Sequence, residues 1–342
     1  QSKIVQRSPE MFLIQILPVT VVIPVKNRRD HILLTLRSLM KQIYLPQEVL
    51  VIDDQSTDGT WEILTNFKET VSSPFRLILH RMEKRKRTGG PAPPRNYGII
   101  HASADLVAFT DSDCIADKNW LFHLTRPLLH LSCPPKLVGT GGVVKSFYSN
   151  FIGMYFEVAG TLNPPPELPY LVTANCCYKK EVLNEVGRFN EKIFTGEDSE
   201  LGVRLVHRGY CFRYVPNAII YHFFPSKIRD FINSYFKYGK GAYFTYKTEK
   251  TITRKIKTND KKKNPSLCMS ASGDQKILLK RINLLSLSNL VRKITKTTLQ
   301  SFKMKPFLLG IILFHFLDFL AAFSLWKGFT YQQRLEYIKH AR

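Results

Sequence analysis

Short apolar runs alternate with segments of helical periodicity over the first 225 residues of the chain. Runs rich in β-branched residues predict buried strands, and the stretches between them predict helices. The predicted strands are residues 19–25, 49–53, 76–80 and 106–110, and the predicted helices are residues 31–42 and 61–67. This alternation indicates an α/β fold, with a mostly parallel mixed sheet and helices on both faces.

The same pattern resumes after a proline-rich loop at residues 164–169. Helices are predicted at residues 181–186 and 198–207, and strands at residues 211–215 and 218–222. We therefore predict one α/β domain over residues 1–225. In open α/β sheets ligands bind beyond the carboxyl ends of the strands, so polar clusters at those ends are the first candidates for a site.

Residues 226–342 have a different pattern and are predicted to form a helical, basic extension. Residues 228–236 and 277–302 are amphipathic, and residues 247–274 are polar, basic and predicted to be mobile. Residues 307–326 are apolar and about as long as a membrane span requires. They include His315 and Asp318, which are costly in a bilayer core. A span, an interfacial helix and a helix that packs on the domain all remain open.

Charge is concentrated in this extension. The chain carries a formal net charge of +23, and residues 247–305 contain sixteen Lys or Arg against three acids. Such a surface needs a polyanionic neighbour. The basic residues are interleaved with leucines rather than with the aromatic residues that stack on single-stranded nucleic acid. We therefore expect an anionic membrane surface as partner and no nucleic acid.

Cysteine usage and the N-terminal residues bear on the compartment. The six cysteines include no C-x-x-C pair and no spacing typical of a zinc site. No signal peptide is recognisable, because residues 1–10 are polar. We expect reduced thiols and a location at the cytoplasmic face of a membrane, peripheral or anchored through the C-terminal extension.

Acidic clusters lie at the carboxyl ends of two predicted strands. Asp111 and Asp113 directly follow strand 106–110, and such paired carboxylates are suitable ligands for a hard divalent cation, Mn²⁺ or Mg²⁺. Asp53 and Asp54 end an earlier strand and suit hydrogen bonding to a base and ribose. Turn formation is the alternative for both clusters. A third pair, at residues 197 and 198, begins a helix and could merely complement its dipole.

These segments, in this order, resemble the family 2 glycosyltransferases of the GT-A fold. The resemblance covers residues 19–247 and is carried by VVIPVKNRRDHILLTLRSL, VLVIDDQSTDGT, GGPAPPRNYGI, LVAFTDSDC, TANCCYKKEVLNEVGRFNE, GEDSELGVRLVHRGY and, more weakly, FKYGKGAYF. It implies an inverting transferase that moves a sugar from a nucleoside-diphosphate donor, most commonly a UDP-sugar, to an acceptor hydroxyl. A lipid-linked or cell-envelope glycan acceptor is a hypothesis that rests on the basic and apolar extension.

The resemblance also implies roles for particular residues. The nucleotide-sugar would be bound by Pro24, Val25, Asn27, Asp53, Asp54, Arg95, Asn96 and Asp111, with Lys237 and Lys240 near the diphosphate. The metal would be held by Asp111, Asp113 and His222. Asp198 would be the catalytic base, and Glu197 would help to place the acceptor.

Two departures from the family pattern and three rival classes remain. Pro94 stands where alanine is common, and residues 81–87 are unusually basic. The Q-x-x-R-W motif of processive members is not found, which favours single transfer. The rivals are a nucleic-acid or anionic-lipid binding protein, a nucleotidyltransferase and a degenerate transferase. A nucleotidyltransferase would carry a glycine-rich loop where residues 26–29 stand, and a degenerate transferase would not need Asp111, Asp113 and Asp198 together.

Overall fold

The structure is a computed structural model that describes residues 15–83, 90–164, 170–259 and 308–341. The strands are β1 (Gln15–Val25), β2 (Tyr44–Asp53), β3 (Arg76–Arg81), β4 (Leu106–Thr110), β5 (Cys114–Ala116), β6 (Leu137–Ser146), β7 (Asn175–Lys179) and β8 (Cys211–His222). The helices are α1 (Ile32–Met40), α2 (Thr60–Thr70), α3 (Ala92–His101), α4 (Trp120–Leu129), α5 (Phe151–Val158), α6 (Lys180–Glu185), α7 (Glu197–His207), α8 (Ile228–Asn259) and α9 (Leu308–Ala341).

The eight described strands form one mixed sheet in the order β3-β2-β1-β4-β7-β6-β8-β5. Strands β3, β2, β1 and β4 are parallel, β7 is antiparallel to β4 and β6, and β5 is antiparallel to β8. Consecutive strands β4 and β5 lie four places apart in this order, yet only three residues connect them. A connection of that length reaches about 14 Å at most. The sheet must therefore curl, and residues 111–113 lie where it turns back.

The core consists of two apolar layers, one on each face of the sheet. Along β1, Val21 and Ile23 belong to one layer and Val22 to the other. This alternation follows from the two-residue period of a strand, and it requires apolar residues at successive positions because both faces are covered. The α/β fold predicted from the sequence is confirmed, and both covered faces leave the strand ends as the accessible edge.

Two predictions about secondary structure are corrected, and a third falls outside the described residues. Residues 211–222 form one strand rather than two. Residues 247–259 belong to α8, whereas the sequence predicted a mobile loop. The buried stripe of α8 continues through Thr245 and Glu249, which are polar and therefore invisible in a hydropathy pattern. Burial raises the pKa of Glu249 to about 7. The amphipathic segment predicted at residues 277–302 lies outside the described residues.

Helix α9 packs along α8 and onto the core of the α/β domain. Phe314, Leu317 and Ala321 are buried in the main core, whereas Phe319 and Phe323 are exposed on the other side of the helix. Of the three alternatives left open by the sequence, packing on the domain is therefore what one face of α9 does. Within the described ranges, none of the helices combines the length and the apolar character that a membrane crossing requires.

The carboxylate of Asp318 on α9 is fully buried and accepts a 2.6 Å hydrogen bond from the hydroxyl of Tyr155 on α5. The neighbouring Tyr235 on α8 contacts the ring of Tyr155 and shares a 2.7 Å hydrogen bond with Thr161. Side chains from α5, α8 and α9 therefore meet in one polar cluster inside an apolar layer. The residue that is costly in a bilayer core serves here as a link between helices.

Replacing Tyr155 by phenylalanine should lower the thermal stability of the protein. The substitution leaves the buried Asp318 carboxylate without this donor, a loss that costs about 1–3 kcal/mol. Calorimetry should show a melting temperature several degrees lower. Tyr148→Phe is the matched control, because it removes the same atom from an exposed ring. Equal melting temperatures for the two variants would contradict a structural role for the Tyr155–Asp318 bond.

Candidate active site

The turn after β2 is built by its own side chains. The buried carboxylate of Asp53 accepts the Ser56 amide, with both oxygens at 3.2 Å, and pairs with Arg81 at 3.3 Å. Asp54 lies 3.5 Å from the ammonium of Lys26. Arg81 thereby has a structural partner, and residues 84–87 of the basic segment lie outside the described residues. Asp53 and Asp54 were predicted either to form a turn or to bind a nucleoside. The two interpretations are compatible, since the turn fixes both carboxylates at the sheet edge.

The loop after β1 is fastened to this turn. Pro24 and Val25 are the last two residues of β1, beside Ile52 and Asp53 of β2. Asn27 donates its backbone amide to Ser56, and its side-chain oxygen accepts the Thr57 amide at 2.8 Å. Asn27 adopts a φ of 52°, in the left-handed region that asparagine tolerates better than most residues. The predicted nucleoside residues therefore share one edge of the sheet.

Asp113 stands at the centre of a second cluster. Pairing of β5 with β8 sets Cys114 opposite His222, and the Nε2 atom of His222 lies 3.5 Å from the Asp113 carboxylate. The guanidinium of Arg28 donates to the other oxygen of Asp113 at 3.0 Å. Burial alone would raise the pKa of Asp113, but His222 and Arg28 outweigh it and lower the pKa. Asp113 is therefore held as an anion.

Asp111, the first carboxylate of the pair, faces in another direction. It accepts a 2.7 Å hydrogen bond from Arg95 on α3. The second arm of the Arg95 guanidinium binds Glu197 at the start of α7. Burial disfavours the charge on Arg95, yet Asp111, Glu197 and the nearby Asp198 together raise its pKa. Arg95 thus joins the acidic pair after β4 to the acidic pair that begins α7.

Glu197 and Asp198 differ in how free they are to react. Glu197 is buried against Arg95, whereas Asp198 is only partly buried and accepts its neighbour's amide, from Ser199, at 2.8 Å. Burial raises the pKa of both carboxyl groups, and the Arg95 charge opposes that rise. A partly accessible carboxylate with a raised pKa has the properties of a general base. Asp198 fits that role better than Glu197.

The donor atoms near Asp113 suit a divalent cation. Ligand atoms of Asp113, Cys114 and His222 lie within 4.8 Å of one another. Burial raises the pKa of the Cys114 thiol, and a protonated thiol is a poor ligand for a hard cation. Among the described residues, Nδ1 of His222 has no hydrogen-bond partner. Carboxylate and imidazole donors suit Mn²⁺, so Asp113 and His222 fit the predicted metal site, with Asp111 two residues away.

Of three other residues predicted to bind the nucleotide-sugar, two have contacts outside this cluster and one is exposed. The side-chain amide of Asn96 bonds to the Phe189 backbone and to Glu191. The ammonium of Lys240 lies among aromatic rings, 5.3–5.9 Å from the three ring centroids of Phe194, Phe236 and Tyr331. Lys237 is exposed on α8. The structure thus gives Asn96 and Lys240 packing partners, and their predicted contact with the donor remains a prediction.

Sequence reasoning missed two residues that face the acidic cluster. Arg28 was noted only as part of a basic run, yet it pairs with Asp113. Tyr238 lies between the two lysines singled out on α8. Burial and the nearby carboxylates of Asp111, Asp198 and Asp113 raise the pKa of its hydroxyl. The tyrosine between the two lysines of the segment FKYGKGAYF was the available signal. The side of α8 on which it lies could be known only from the packing of the helix.

The glycines around Lys240 explain how α8 approaches the site. A Cβ on Gly239 would lie 1.9 Å from the Leu325 carbonyl oxygen of α9, and a Cβ on Gly241 would lie 2.6 Å from that of Thr195. Thr195 and Gly196 directly precede Glu197 on α7. Gly241 therefore lets α8 press against the backbone that carries the candidate base.

Substituting Gly241 by alanine should reduce activity at least tenfold and lower stability by about 1–3 kcal/mol, because the added methyl group displaces the Thr195 backbone. Alanine is the better helix former by about 1 kcal/mol, so any loss must come from this contact. Turnover and melting temperature would be compared with those of Asn233→Ala, an exposed α8 position. A Gly241→Ala protein as active and stable as wild type would contradict the close contact.

Sequence models of two related families match the chain. The model described as "Glycosyl transferase family 2" matches residues 20–187. The model described as "Glycosyl transferase family group 2" matches residues 109–330, which is more than half of the chain. Together the two matches run from residue 20, inside β1, to residue 330, and they include all three acidic pairs, at residues 53 and 54, 111 and 113, and 197 and 198.

Two individual relatives are each less than 30% identical to this chain. Pre-mycofactocin glycosyltransferase of Mycobacterium tuberculosis is 29% identical over 239 residues, 66% of this chain and 46% of that protein. The chain therefore spans about half the length of this relative. UDP-Glc:alpha-D-GlcNAc-diphosphoundecaprenol beta-1,3-glucosyltransferase WfaP of Escherichia coli is 27% identical over 196 residues, 56% of this chain and 71% of that protein.

One solved structure extends the comparison to the fold. Mannosyltransferase PcManGT from Pyrobaculum calidifontis, in complex with GDP-Man and Mn²⁺, superposes with a TM-score of 0.61 at 18% identity. The superposition covers 92% of this chain and 87% of that one. This likeness confirms the predicted GT-A fold.

Proposed function

Because this chain belongs to the family 2 glycosyltransferases, we propose that it is an inverting, metal-dependent transferase that moves a sugar from a nucleoside-diphosphate donor to an acceptor hydroxyl. The observation that carries the proposal is the bridge made by Arg95. Its guanidinium joins Asp111, beside the candidate metal ligand Asp113, to Glu197, beside the candidate base Asp198. The Arg95 guanidinium therefore stands between the residues proposed to stabilise the leaving diphosphate and the residues proposed to activate the acceptor hydroxyl.

The residues of the chain supply most of the reaction. Asp198 takes the proton of the acceptor hydroxyl, and the freed oxygen attacks C1 of the donor sugar. The bond from C1 to the diphosphate oxygen breaks, and its electron pair leaves with the nucleoside diphosphate. Attack from the face opposite the leaving group inverts C1. Arg95 anchors Glu197, the residue next to Asp198 in the first turn of α7, and Asp53 and Asp54 face the nucleoside.

Asp111, Asp113 and His222 would hold Mn²⁺ or Mg²⁺, which would stabilise the charge that grows on the departing diphosphate. Support for metal use comes from the donor set around Asp113 and from the Mn²⁺ in the PcManGT complex. The anionic state of Asp113 fits such a ligand. Arg28, which is paired with Asp113 and about half exposed, is available to the diphosphate at the same edge.

We propose a UDP-sugar as donor and a lipid-linked or cell-envelope glycan as acceptor. WfaP, whose name specifies UDP-glucose and a diphosphoundecaprenol-linked sugar, supports both. We further propose that the protein works at the cytoplasmic face of an anionic membrane. The support is the net charge of +23 and the exposed aromatic residues of α9. The rival proposal of a nucleic-acid binding protein would explain the charge but not the acidic clusters.

The test is a panel of nucleotide-sugars, each incubated with and without Mn²⁺ or Mg²⁺, with release of the nucleoside diphosphate as the readout. Calorimetric binding of the same nucleotides runs alongside, because a missing acceptor can silence a transferase that still binds its donor. Metal-dependent release from one donor supports the proposal and identifies that donor. A protein that neither binds nor cleaves any nucleotide-sugar would refute it.

A further inference from the structure

A cleft of about 480 Å³ opens between the starts of α5 and α8 and the first half of α9. Its volume falls within the range of roughly 300–1,000 Å³ that is usual for small-molecule sites. Asn150 and Ser226 contribute polar side chains. The apolar lining is Phe151, Ile152, Ile228, Leu313, Phe316 and Leu317.

Much of this lining faces solvent. Ile228 is 46% exposed, Leu313 is 40% exposed and Phe316 is 52% exposed. Large apolar side chains gathered in one open concavity are unusual on a protein surface and mark places where something apolar binds. The buried neighbours Phe314 and Leu317 fix the first half of α9, so the cleft is a formed feature of the fold.

The cleft lies near the candidate active site. Ser226 follows the candidate metal ligand His222 by four residues, so the two Cα atoms are at most about 14 Å apart. On the opposite rim, Phe147 donates its backbone amide to the His222 carbonyl at 2.9 Å. The rings of Phe147, Tyr148 and Phe223 contact one another. Aromatic residues therefore lie next to His222 in the chain and within a few residues of the cleft residues Asn150 and Ser226.

The lining distinguishes a hydrocarbon chain from a peptide. Six of its eight lining residues are apolar, and the side-chain oxygen of Asn150, one of the two polar ones, already accepts the Gly153 amide. A peptide would bring backbone amides and carbonyls that require partners, whereas a hydrocarbon chain requires none. Lys227 and Arg229 are exposed on either side of Ile228, against one acid, Asp230. Phosphate next to the chain would be attracted to this rim.

We propose that this cleft binds the hydrocarbon chain of a phosphate-linked lipid acceptor, with the acceptor sugar reaching the site at Asp113 and Asp198. The inference rests on the proposed function and deepens it, because it assigns the acceptor class to named residues. A bilayer that merely touches the aromatic face of α9 would not need a cleft.

The experiment uses the full chain and a fluorescent probe, nitrobenzoxadiazole-labelled farnesyl monophosphate, below its micellar concentration. Fluorescence anisotropy should show saturable binding that unlabelled farnesyl monophosphate competes away and inorganic phosphate does not. Ile228→Asp and Phe316→Asp should weaken binding at least tenfold, about 1.4 kcal/mol. Phe319→Asp and Tyr337→Asp are the matched controls, because both residues are exposed on α9 and neither lines the cleft. Both control variants should bind within twofold of wild type.

Several outcomes would overturn the proposal. Absence of probe binding would do so, and so would competition by inorganic phosphate. Equal weakening by Phe319→Asp and Phe316→Asp would point to a nonspecific membrane face. Self-association of the chain that disappears in Phe316→Asp would assign the cleft to a second copy. Nucleotide binding by the same preparations separates the two proposals: chain binding without nucleotide binding would refute the transferase function and leave a hydrocarbon site.

Discussion

Asp113→Asn should reduce turnover by about a thousandfold or more and leave the fold intact. Loss of one preorganised group that stabilises developing charge costs about a hundred- to a thousandfold, and loss of a metal ligand removes such stabilisation from the leaving diphosphate. The asparagine keeps the size of the side chain. The 3.0 Å hydrogen bond from the Phe223 amide uses the backbone carbonyl of Asp113, so it survives the substitution.

Two measurements check this expectation. Nucleoside-diphosphate release is followed at saturating Mn²⁺, and Mn²⁺ affinity is measured by electron paramagnetic resonance with and without nucleotide. Asp105→Asn is the control, because Asp105 is an exposed carboxylate just before β4, the strand that Asp113 follows. Unchanged Mn²⁺ affinity in Asp113→Asn would remove Asp113 from the metal site. Retained turnover with unchanged stability would also remove it from the chemistry.

How much of this site was visible in the sequence depends on the range of each contact. Strand β4 is read directly from its apolar residues, and the acids that follow it must lie at a strand end. That Asp113 meets His222 follows only from the pairing of β5 with β8, across more than a hundred residues. Family resemblance supplied His222 where local pattern could not.

The region between residues 120 and 158 shows why some elements stay hidden. Strand β6 contains Gly139, Gly141 and Gly142, which weaken a strand pattern. The structure explains them, since a Cβ on Gly142 would lie 2.1 Å from the Ala218 carbonyl oxygen. Helix α4 contains Pro127, which normally argues against a helix. Packing constraints of this kind are set by neighbours distant in sequence. The glycines and the proline that satisfy them therefore weaken the local pattern from which β6 and α4 would be predicted.

Arg95 is the contact that no local pattern could have shown. It is almost fully buried, and burial of a guanidinium is tolerated only where anions surround it. Its partners come from the loop after β4 and from α7, about a hundred residues farther along the chain. Family resemblance predicts Arg95 as a neighbour of the donor, and the structure shows its guanidinium paired with both Asp111 and Glu197.

Asp198→Asn should lower kcat by about a hundred- to ten-thousandfold without weakening nucleotide binding. Removal of a general base costs a rate factor of this size, because the acceptor hydroxyl then attacks without losing its proton. Asparagine keeps the shape and the ability to accept the Ser199 amide, so α7 still begins at Glu197. Calorimetric titration with the nucleoside diphosphate checks the binding half of this expectation.

The pH profile provides a second readout. A base acts in its deprotonated form, so the rate should fall as pH drops through its pKa. Burial raises the pKa of Asp198 above the ordinary aspartate value of about 3.9. We therefore expect the acidic limb of kcat to lie above that value in the wild type and to disappear in Asp198→Asn. Because Glu197 and Asp198 interact, this limb belongs to the pair rather than to one carboxyl group.

The rival explanation is that Asp198 only complements the dipole of α7. In that case Asp198→Asn would cost about 0.3–1 kcal/mol of stability and leave kcat unchanged. Glu181→Gln, in the first turn of the surface helix α6, calibrates the pure dipole effect. If Asp198→Asn loses much of kcat but no more stability than Glu181→Gln, Asp198 takes part in the reaction. An unchanged kcat with a dipole-sized loss of stability would remove Asp198 as the base.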